Sequence, residues 1–223
     1  MTYHLAGDST VAACPPEEWP MSGWGPHLSP HVDRPVRNLA FGGATTESFL
    51  ESRWDELVSE VRADDTVVIQ FGHNDQKQPQ LLDSRGGYSD RLRRMVGDVH
   101  SRAANAVLCT SCERRWFDGD RVTPTHGDYP NAVRDLAAEL AVPLIDLTAF
   151  TTWLYEDEGP EASVRLLSHF APGEHDLWRD GLADDTHFHE RGARRIAAFV
   201  GRQLRGIARL DGHDAPKGGA LVH

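Results

Sequence analysis

Residues 66–75 read Thr-Val-Val-Ile-Gln-Phe-Gly-His-Asn-Asp and join the most hydrophobic of the strand-like segments to a polar turn. Consecutive apolar side chains from Val67 to Ile69 suit a strand that is covered on both faces, as in a parallel sheet. Similar segments of about four to six residues, a usual strand length, recur along the chain at 3–6, 36–41, 106–110 and 142–147. The pattern predicts five strands.

Helical patterns alternate with these strands. Apolar residues fall at helical spacing in the segments 48–62, 88–104, 130–140 and 191–204. Strands that alternate with helices indicate βαβ crossovers and a mainly parallel sheet. We therefore predict one α/β domain, a three-layer α/β/α sandwich over residues 1–210.

Three stretches interrupt the alternation and are predicted as loops, at 14–34, 113–127 and 159–183. Loops outside the carboxyl ends of parallel strands are where such sheets bind ligands. The Gly-rich polar segment 211–223 is predicted to be a flexible tail.

Composition excludes several classes of protein. The 223 residues include 23 basic and 34 acidic side chains, a net charge of −11. That balance argues against a nucleic-acid surface, which needs a basic stripe. No apolar run approaches the ~18 residues of a membrane span, so we expect no membrane partner. No secretory signal pattern is visible at Met1, which favours a cytoplasmic protein, or a secreted one if a signal has been removed.

The cysteines give little evidence of disulfide or metal chemistry. Only Cys14, Cys109 and Cys112 are present, which is too few for the disulfide framework of a small secreted protein. The spacing of Cys109 and Cys112 permits a redox or metal site. We favour buried or incidental thiols, because the pair follows the fourth strand and not the first βα unit of a thioredoxin-like fold.

Two motifs follow the first two strands. Gly7-Asp8-Ser9-Thr10 can present the Ser9 hydroxyl at the carboxyl edge of the sheet. A serine at such a turn is otherwise a helix N-cap or a turn residue.

After the second strand, Gly42 and Gly43 allow a positive φ and a close approach of a backbone N–H to a ligand. The alternative is a tight βα turn.

A third motif, Gly72-His73-Asn74-Asp75, ends the third strand. An asparagine there can direct its amide NH2 at a developing oxyanion. The alternative for Asn74 is an Asx turn or a helix cap. His73 is interpreted as a supporting or loop histidine and not as a catalytic one.

The fourth motif, Asp184-Asp-Thr-His187-Phe-His189-Glu190, precedes the last helical pattern. A serine nucleophile needs a base, and the base needs a carboxylate that fixes its tautomer. Asp184, three residues before His187, can fill that second role. His187 and His189 can instead be metal ligands, although zinc sites usually need three or four ligands and no partner set is evident.

The order of these motifs resembles the SGNH (GDSL-type) hydrolase superfamily. Within this superfamily, the sequence resembles the rhamnogalacturonan acetylesterase branch. The matching features are Thr10, the run Gly23-Trp24-Gly25, residues 38–43, residues 69–75 and residues 125–130. The match runs from residue 3 to about residue 205. Ala44-Thr45-Thr46 departs from the branch, whose members often carry Arg and Ser there.

The resemblance implies a flavodoxin-like sandwich around a five-stranded parallel sheet. By the motifs of the family, Ser9 is the nucleophile, and Asp184 and His187 complete the triad. The N–H groups of Ser9 and Gly43 and the side chain of Asn74 form the oxyanion hole. The implied activity is that of a serine esterase, which removes acetyl groups from rhamnogalacturonan or a related plant cell-wall oligosaccharide. It requires no cofactor and no metal.

Substrate contacts are predicted on the loops. An arginine at 114 or 115 can pair with a uronate carboxylate, and Trp116 can stack on a sugar ring, but Arg114, Arg115 and Trp116 can equally form a solvated loop. Trp24 and His73 are predicted as further contacts. The net negative charge would repel a long polyanion, which favours a short or neutral acetylated sugar.

Two alternatives come from other classes: a metal-dependent hydrolase that uses His187 and His189, and a non-catalytic carbohydrate-binding module. The sequence does not indicate an oligomeric state.

Overall fold

The computed structural model of the protein describes residues 1–210. In this part of the chain the strands are β1 (Tyr3–Gly7), β2 (Val36–Asn38), β3 (Thr66–Gln70), β4 (Asn105–Cys109), β5 (Phe117–Asp118), β6 (Arg121–Val122), β7 (Leu144–Ile145), β8 (Leu167–Phe170) and β9 (Leu182–Phe188). The helices are α1 (Thr46–Ser52), α2 (Trp54–Glu60), α3 (Gly87–Ser101), α4 (Tyr129–Glu139), α5 (Leu147–Ala162) and α6 (Glu190–Leu210). The tail predicted at 211–223 lies outside the described residues, and the domain limits stay a prediction.

A five-stranded sheet with the order β2-β1-β3-β4-β7 forms the middle layer. All of its neighbouring strands pair in parallel. Counted within this sheet alone, where β7 is the fifth strand, the order is 2-1-3-4-5. This order is that of flavodoxin-like folds, in which ligands bind where the strand order reverses. The predicted α/β fold and five-stranded parallel sheet are therefore confirmed, and the reversal lies between β1 and β3.

Helices cover both faces of the sheet. Successive side chains of a strand point to opposite faces, so the continuous apolar strands present apolar side chains on each face. On one face Val67 and Ile69 of β3 pack with apolar residues of α1, α2, α3 and α4. On the other face Val68 packs with residues of α5 and α6, among them Leu154 and Ile196. Two separate apolar cores result, one on each side of the sheet.

The helical prediction at 48–62 is wrong in one respect, because the segment forms two helices. Arg53 lies between α1 and α2 with a φ of −129°, outside the helical region. Thr45 and Ser48 form a reciprocal capping box that starts α1. Both helices still bury the predicted apolar face, including Phe49, Trp54 and Leu57.

The loop predicted at 159–183 begins where α5 is interrupted, at Gly159 with a φ of +79°, but it is wrong in part, since it also contains the last turn of α5, all of β8 and the start of β9. These two strands pair antiparallel as a separate two-stranded sheet. We call residues 167–188, with their connecting segment, the histidine hairpin. A short hairpin outside the main sheet leaves only a weak apolar pattern, which is why the sequence did not indicate it.

Smaller features agree with the sequence or refine it. The segment 14–34 contains short 3₁₀ turns and one isolated bridge from Met21 to His189, as expected of an irregular loop. The 113–127 loop includes the two-residue strands β5 and β6. Cys109 and Cys112 are buried free thiols. None of the helices in residues 1–210 has an apolar stretch long enough to cross a membrane.

Candidate active site

The turn after β1 holds Ser9 at the carboxyl edge of the sheet. Ser9 is half-buried, while its neighbours Asp8 and Thr10 are buried. The Asp8 carboxylate accepts hydrogen bonds from the backbone N–H of Thr10 at 3.0 Å and from its hydroxyl at 2.8 Å. The Gln70 amide, at the end of β3, in turn donates to the Thr10 hydroxyl at 2.5 Å. The turn is therefore fixed from within the sheet, and only the serine remains accessible.

Burial of Asp8 has an electrostatic consequence. Desolvation is the main cause that raises the pKa of Asp8 to about 6, against the opposing hydrogen bonds from Thr10. The second carboxylate oxygen has no hydrogen-bond partner among the described residues. A negative charge here is poorly solvated and lies near the serine.

Three side chains form a hydrogen-bonded chain that ends at Ser9. The Ser9 hydroxyl lies 3.0 Å from Nε2 of His187, and Nδ1 of His187 lies 2.7 Å from Oδ2 of Asp184. A carboxylate can only accept a hydrogen bond, so Nδ1 carries the hydrogen and Nε2 of the neutral ring accepts from Ser9. The structure thus brings together the three residues predicted as the triad, in the tautomer that a general base requires.

The histidine hairpin positions His187 and Asp184 by a break in its pairing. Ser168 faces Asp184 and Leu167 faces Phe188, so residues 185–187 bulge out of β9. The backbone N–H groups of Thr186 and His187 both donate to Oδ1 of Asp184 at 2.8 Å. One carboxylate therefore holds both the backbone of the bulge and the imidazole ring.

The protonation of this pair is coupled. The hydrogen bond to Asp184 is the largest cause that raises the pKa of His187 above 6.5, while burial opposes it. Burial alone would raise the pKa of Asp184, but hydrogen bonds from the side chain and backbone of His187 outweigh it and lower the pKa below 3.8. Asp184 is therefore ionised at neutral pH, as a partner of an imidazolium should be.

The predicted oxyanion donors lie on the turns after β2 and β3. Gly43 has a φ of +76°, a conformation that favours glycine. The Asn74 amide donates to the carbonyl of Ala44 at 3.0 Å and accepts from Lys77 Nζ at 2.9 Å. Of its two amide hydrogens, the bond to Ala44 uses one, and none of the described residues accepts the other. The Asx-turn alternative has less support, since the Asn74 side chain does not cap the turn that follows.

A cavity of about 540 Å³ opens beside Ser9. Its polar lining includes Ser9, Asp184, His187 and the backbone of Gly43, and its apolar walls include Met21, Phe41, Trp178 and Leu182. Among its lining residues, Glu18 adds a carboxylate, and no lysine or arginine is present. The sequence prediction missed Met21, Trp178 and Glu18, although two predicted loops contain all three.

Two predicted substrate contacts are wrong because their side chains are buried. Trp24 has no exposed surface, and its indole N–H donates to the Gln70 amide oxygen at 2.8 Å. His73 is 2% exposed and contacts His126 at 3.0 Å. Both residues support the sheet edge from inside.

The arginines predicted to contact substrate make internal bonds. Arg115 donates to Asp185 and to Ser163, each at 2.9 Å, and also to the carbonyl of Pro160. It therefore anchors the bulge of the histidine hairpin, which corrects its predicted role. Half-buried Arg114 lies 3.3 Å from the Thr125 hydroxyl. Trp116 is 62% exposed and does not line the cavity, so its contact with substrate stays a prediction.

The metal alternative gains no support from the side chains of the site. Both ring nitrogens of His187 are occupied by Asp184 and Ser9. Nδ1 of His189 accepts from the backbone N–H of Arg191 at 3.2 Å, at the start of α6. Within residues 1–210, no group of three or more His, Cys, Asp or Glu side chains is placed to hold a metal ion.

A parallel α/β/α sandwich with a Ser–His–Asp chain at its strand ends is an arrangement typical of serine hydrolases. The family model of the GDSL-like lipase/acylhydrolase family matches residues 5–195. The chain belongs to this family, which confirms the predicted resemblance.

Two relatives of similar sequence are named as rhamnogalacturonan acetylesterases, one of them as a probable one. The chain is 44% identical over 200 residues to the rhamnogalacturonan acetylesterase RhgT of Bacillus subtilis (strain 168), with 88% of this chain and 86% of RhgT covered. It is 27% identical over 208 residues to the probable rhamnogalacturonan acetylesterase YesY of the same strain, with 91% of each chain covered.

Solved structures of lower identity share the fold. The Bacillus subtilis protein YxiM has a TM-score of 0.78 and 24% identity; the comparison covers 93% of this chain but 56% of that one. The acetylxylan esterase Axe2 of Geobacillus stearothermophilus has a TM-score of 0.62 and 18% identity, with 91% of this chain and 93% of Axe2 covered. At such identities the comparison establishes the architecture alone.

Proposed function

We propose that this protein is a serine esterase that removes acetyl groups from an acetylated carbohydrate, with Ser9 as nucleophile. The observation that carries the proposal is the hydrogen-bonded chain from Asp184 through His187 to Ser9, which ends at an open cavity. The names of RhgT and YesY support an acetyl ester of a sugar as the substrate.

In the first half of the proposed reaction, Nε2 of His187 takes the proton of Ser9 as Oγ bonds to the acetyl carbonyl carbon. The carbonyl oxygen becomes an oxyanion, which the N–H groups of Ser9 and Gly43 and the Asn74 amide stabilise. The ionised Asp184 stabilises the imidazolium. When the tetrahedral intermediate collapses, the bond to the sugar oxygen breaks, and His187 gives its proton to the leaving alcohol.

In the second half, water attacks the acetyl-Ser9 ester while His187 takes a proton from the water. The same donors hold the second oxyanion. Collapse of this intermediate releases acetic acid, and the proton on His187 returns to Ser9. The cycle needs no cofactor, because every proton that leaves one group is accepted by another.

The lining of the cavity supports a small acyl group on an uncharged or short sugar. Met21, Phe41 and Leu182 offer apolar contact, and Trp178 offers a ring on which a sugar can stack. Glu18 and the net charge of −11 disfavour a long polyanion. We propose rhamnogalacturonan fragments or related plant cell-wall oligosaccharides as substrates. Cytoplasmic action on such fragments stays a prediction.

Acetate release from a panel of acetylated oligosaccharides tests the proposal. We expect the wild-type protein to release acetate and a serine-directed phosphonate to add mass to the peptide that contains Ser9. Full activity should survive exhaustive chelation. Loss of activity on chelation would favour a metal-dependent hydrolase, and sugar binding without turnover of any ester would favour a carbohydrate-binding module.

A further inference from the structure

Three buried titratable side chains form a row that ends at His73, the residue before Asn74, and the proposed reaction uses none of them. Glu113, His126 and His73 are 2%, 1% and 2% exposed. Oε1 of Glu113 lies 2.9 Å from Nδ1 of His126, and Nε2 of His126 lies 3.0 Å from Nδ1 of His73. Burial of three polar groups in a row is costly unless each is hydrogen bonded to the next.

The carboxylate end of this chain is firmly anchored. Oε1 of Glu113 also accepts from the Thr125 hydroxyl at 2.5 Å, from the backbone N–H of Arg114 at 2.9 Å and from that of Thr125 at 3.2 Å. Burial alone would raise the pKa of Glu113, but the hydrogen bonds from His126 and Thr125 outweigh it and lower the pKa below 4.5. Glu113 is therefore ionised.

An ionised Glu113 places a hydrogen on Nδ1 of His126, because a carboxylate can only accept. When the His126 ring carries this hydrogen alone, its Nε2 is an acceptor. Nδ1 of His73 must then carry its hydrogen, which leaves Nε2 of His73 as an acceptor. That nitrogen is buried and has no partner among the described residues.

His73 stays neutral in these surroundings. Burial is the main cause that lowers its pKa well below 6.5, and the other groups that lower the pKa are His126, Arg114, His187 and Lys77. His73 therefore carries a single ring hydrogen near neutral pH.

Other hydrogen bonds hold the two ends of the segment 71–75. The carbonyl of Phe71 accepts from Tyr88 and Ser111, each at 2.9 Å. The Asp75 carboxylate accepts from the backbone N–H of Thr46 at 2.8 Å and from its hydroxyl at 2.6 Å. Both ends of the segment are thus held. In its middle, the carbonyl of Gly72 accepts from the backbone N–H of Gln76 at 3.2 Å, and the carbonyl of His73 accepts from Arg114 at 3.5 Å. The side-chain bond of His73 adds a further contact directly before Asn74.

We propose that Glu113, His126 and His73 form a positioning chain that fixes the backbone before Asn74, so that the Asn74 amide is held toward the oxyanion. All three are positioning residues, since none contacts the reacting atoms. The inference rests on the proposed function, because it requires Asn74 to donate in the transition state.

Kinetics of three variants test this inference. In His126→Leu we expect kcat to fall about 10-fold with KM unchanged, since displacements of ~1 Å at a catalytic group can cost up to ~10²-fold. His126→Gln should recover part of the loss, because its amide oxygen can accept from Nδ1 of His73. Glu113→Gln keeps an oxygen at the same place without the charge, so it should fold and also lower kcat.

His4→Leu is the matched control. His4 is 3% exposed and lies 3.1 Å from Oδ2 of Asp65, at the opposite end of the sheet. Its loss should lower the Tm about as much as His126→Leu does and leave kcat unchanged. Equal kcat values in the two leucine variants would overturn the inference.

Nitrogen-15 NMR of the histidine side chains gives a readout that does not depend on activity. In the wild-type protein His73 should carry its hydrogen on Nδ1, and in His126→Leu this preference should weaken. A hydrogen on Nε2 of His73 in the wild type would overturn the positioning chain even if Ser9 proves to be the nucleophile. Failure of the proposed function would instead appear as full activity in Ser9→Ala.

Discussion

The turns at the carboxyl edge of the sheet and the histidine hairpin are held in place in different ways. The sheet-edge turns, residues 8–10, 42–45 and 71–75, are backed by Asp8, Gln70 and Asp75, whose side chains have no exposed surface. In the hairpin, Asp184, Asp185 and His187 are all partly exposed. The first region is held by the strands that it ends, while the second is held by local hydrogen bonds and a few contacts across the fold.

This difference matches the chemical roles that we propose. Ser9, Gly43 and Asn74 must converge on one carbonyl group, so their mutual positions need the rigidity of paired strands. His187 must reach a single atom, and one carboxylate can align its ring and its backbone together. Five expected outcomes probe the two regions.

The largest effect is expected at the sheet edge. Ser9→Ala removes the attacking oxygen, and kcat should fall by at least about 10⁴-fold, as nucleophile removal does in serine hydrolases. Fold and Tm should be preserved, because Ser9 is half-buried and its hydroxyl is bonded only to His187 among the described residues. Acetate release at the wild-type rate would remove Ser9 from the reaction.

In the histidine hairpin, replacing one histidine should lower activity about as much as Ser9→Ala does, and replacing the other should not. His187→Ala is expected to lower activity to near the Ser9→Ala level, whereas His189→Ala should keep most of it. His189 is bonded to the start of α6 and not to Ser9. Steady-state kinetics of the two variants provide the measurement, with each as the control for the other; the reverse result would overturn the triad assignment.

A smaller loss is expected from the amide on the turn after β3. Asn74→Ala should lower kcat by roughly 10²–10³-fold, the usual effect of removing one oxyanion donor. KM should change little, because the ground-state carbonyl interacts weakly with this donor. Lys77→Met, which removes the partner of the amide oxygen, serves as a control and should lower kcat far less. An unchanged kcat in Asn74→Ala would make Asn74 a structural residue only.

The pH profile tests the electrostatics of the hairpin. Because the Asp184 hydrogen bond raises the pKa of His187, kcat/KM should begin to fall at a pH above 6.5 on acidification. Below that pKa it should fall about tenfold per pH unit, since imidazolium cannot act as a base. His189→Ala should show the same profile, and Asp184→Asn should move the fall to lower pH. A fall in kcat/KM that begins only below the pKa of free histidine would contradict this coupling.

The smallest effect is expected where the hairpin meets the 113–127 loop. Arg115→Ala should lower the free energy of unfolding by about 1–3 kcal/mol, because it removes the charge-assisted bonds of the guanidinium to Asp185 and Ser163 and leaves Asp185 only its contact with His169 among the described side chains. Urea unfolding measures this change, and activity should fall only a few-fold. Arg121→Ala is the control: Arg121 is 82% exposed and pairs with Glu156 at the surface, so its loss should cost less than about 1 kcal/mol.

Local sequence patterns predicted most of the sheet edge. Strand-like runs, helical spacing and the rule that parallel strands end at one edge are enough to place Ser9, Gly43 and Asn74 close together. The break between α1 and α2, at Arg53, lies in an otherwise continuous apolar pattern, so periodicity could not reveal it.

Long-range contacts decided what the sequence could not. Trp24 is bonded to Gln70, and Arg115 is bonded to Asp185, 46 and 70 positions away along the chain. The contact between His73 and His126 joins residues separated by 53 positions. The sequence by itself determined the layers, because these follow from short-range periodicity, and it predicted the chemistry of the turns through the resemblance of their motifs to a known family. Which side chains face the cavity and which face the interior was decided only by tertiary packing, because burial depends on surfaces that distant segments supply.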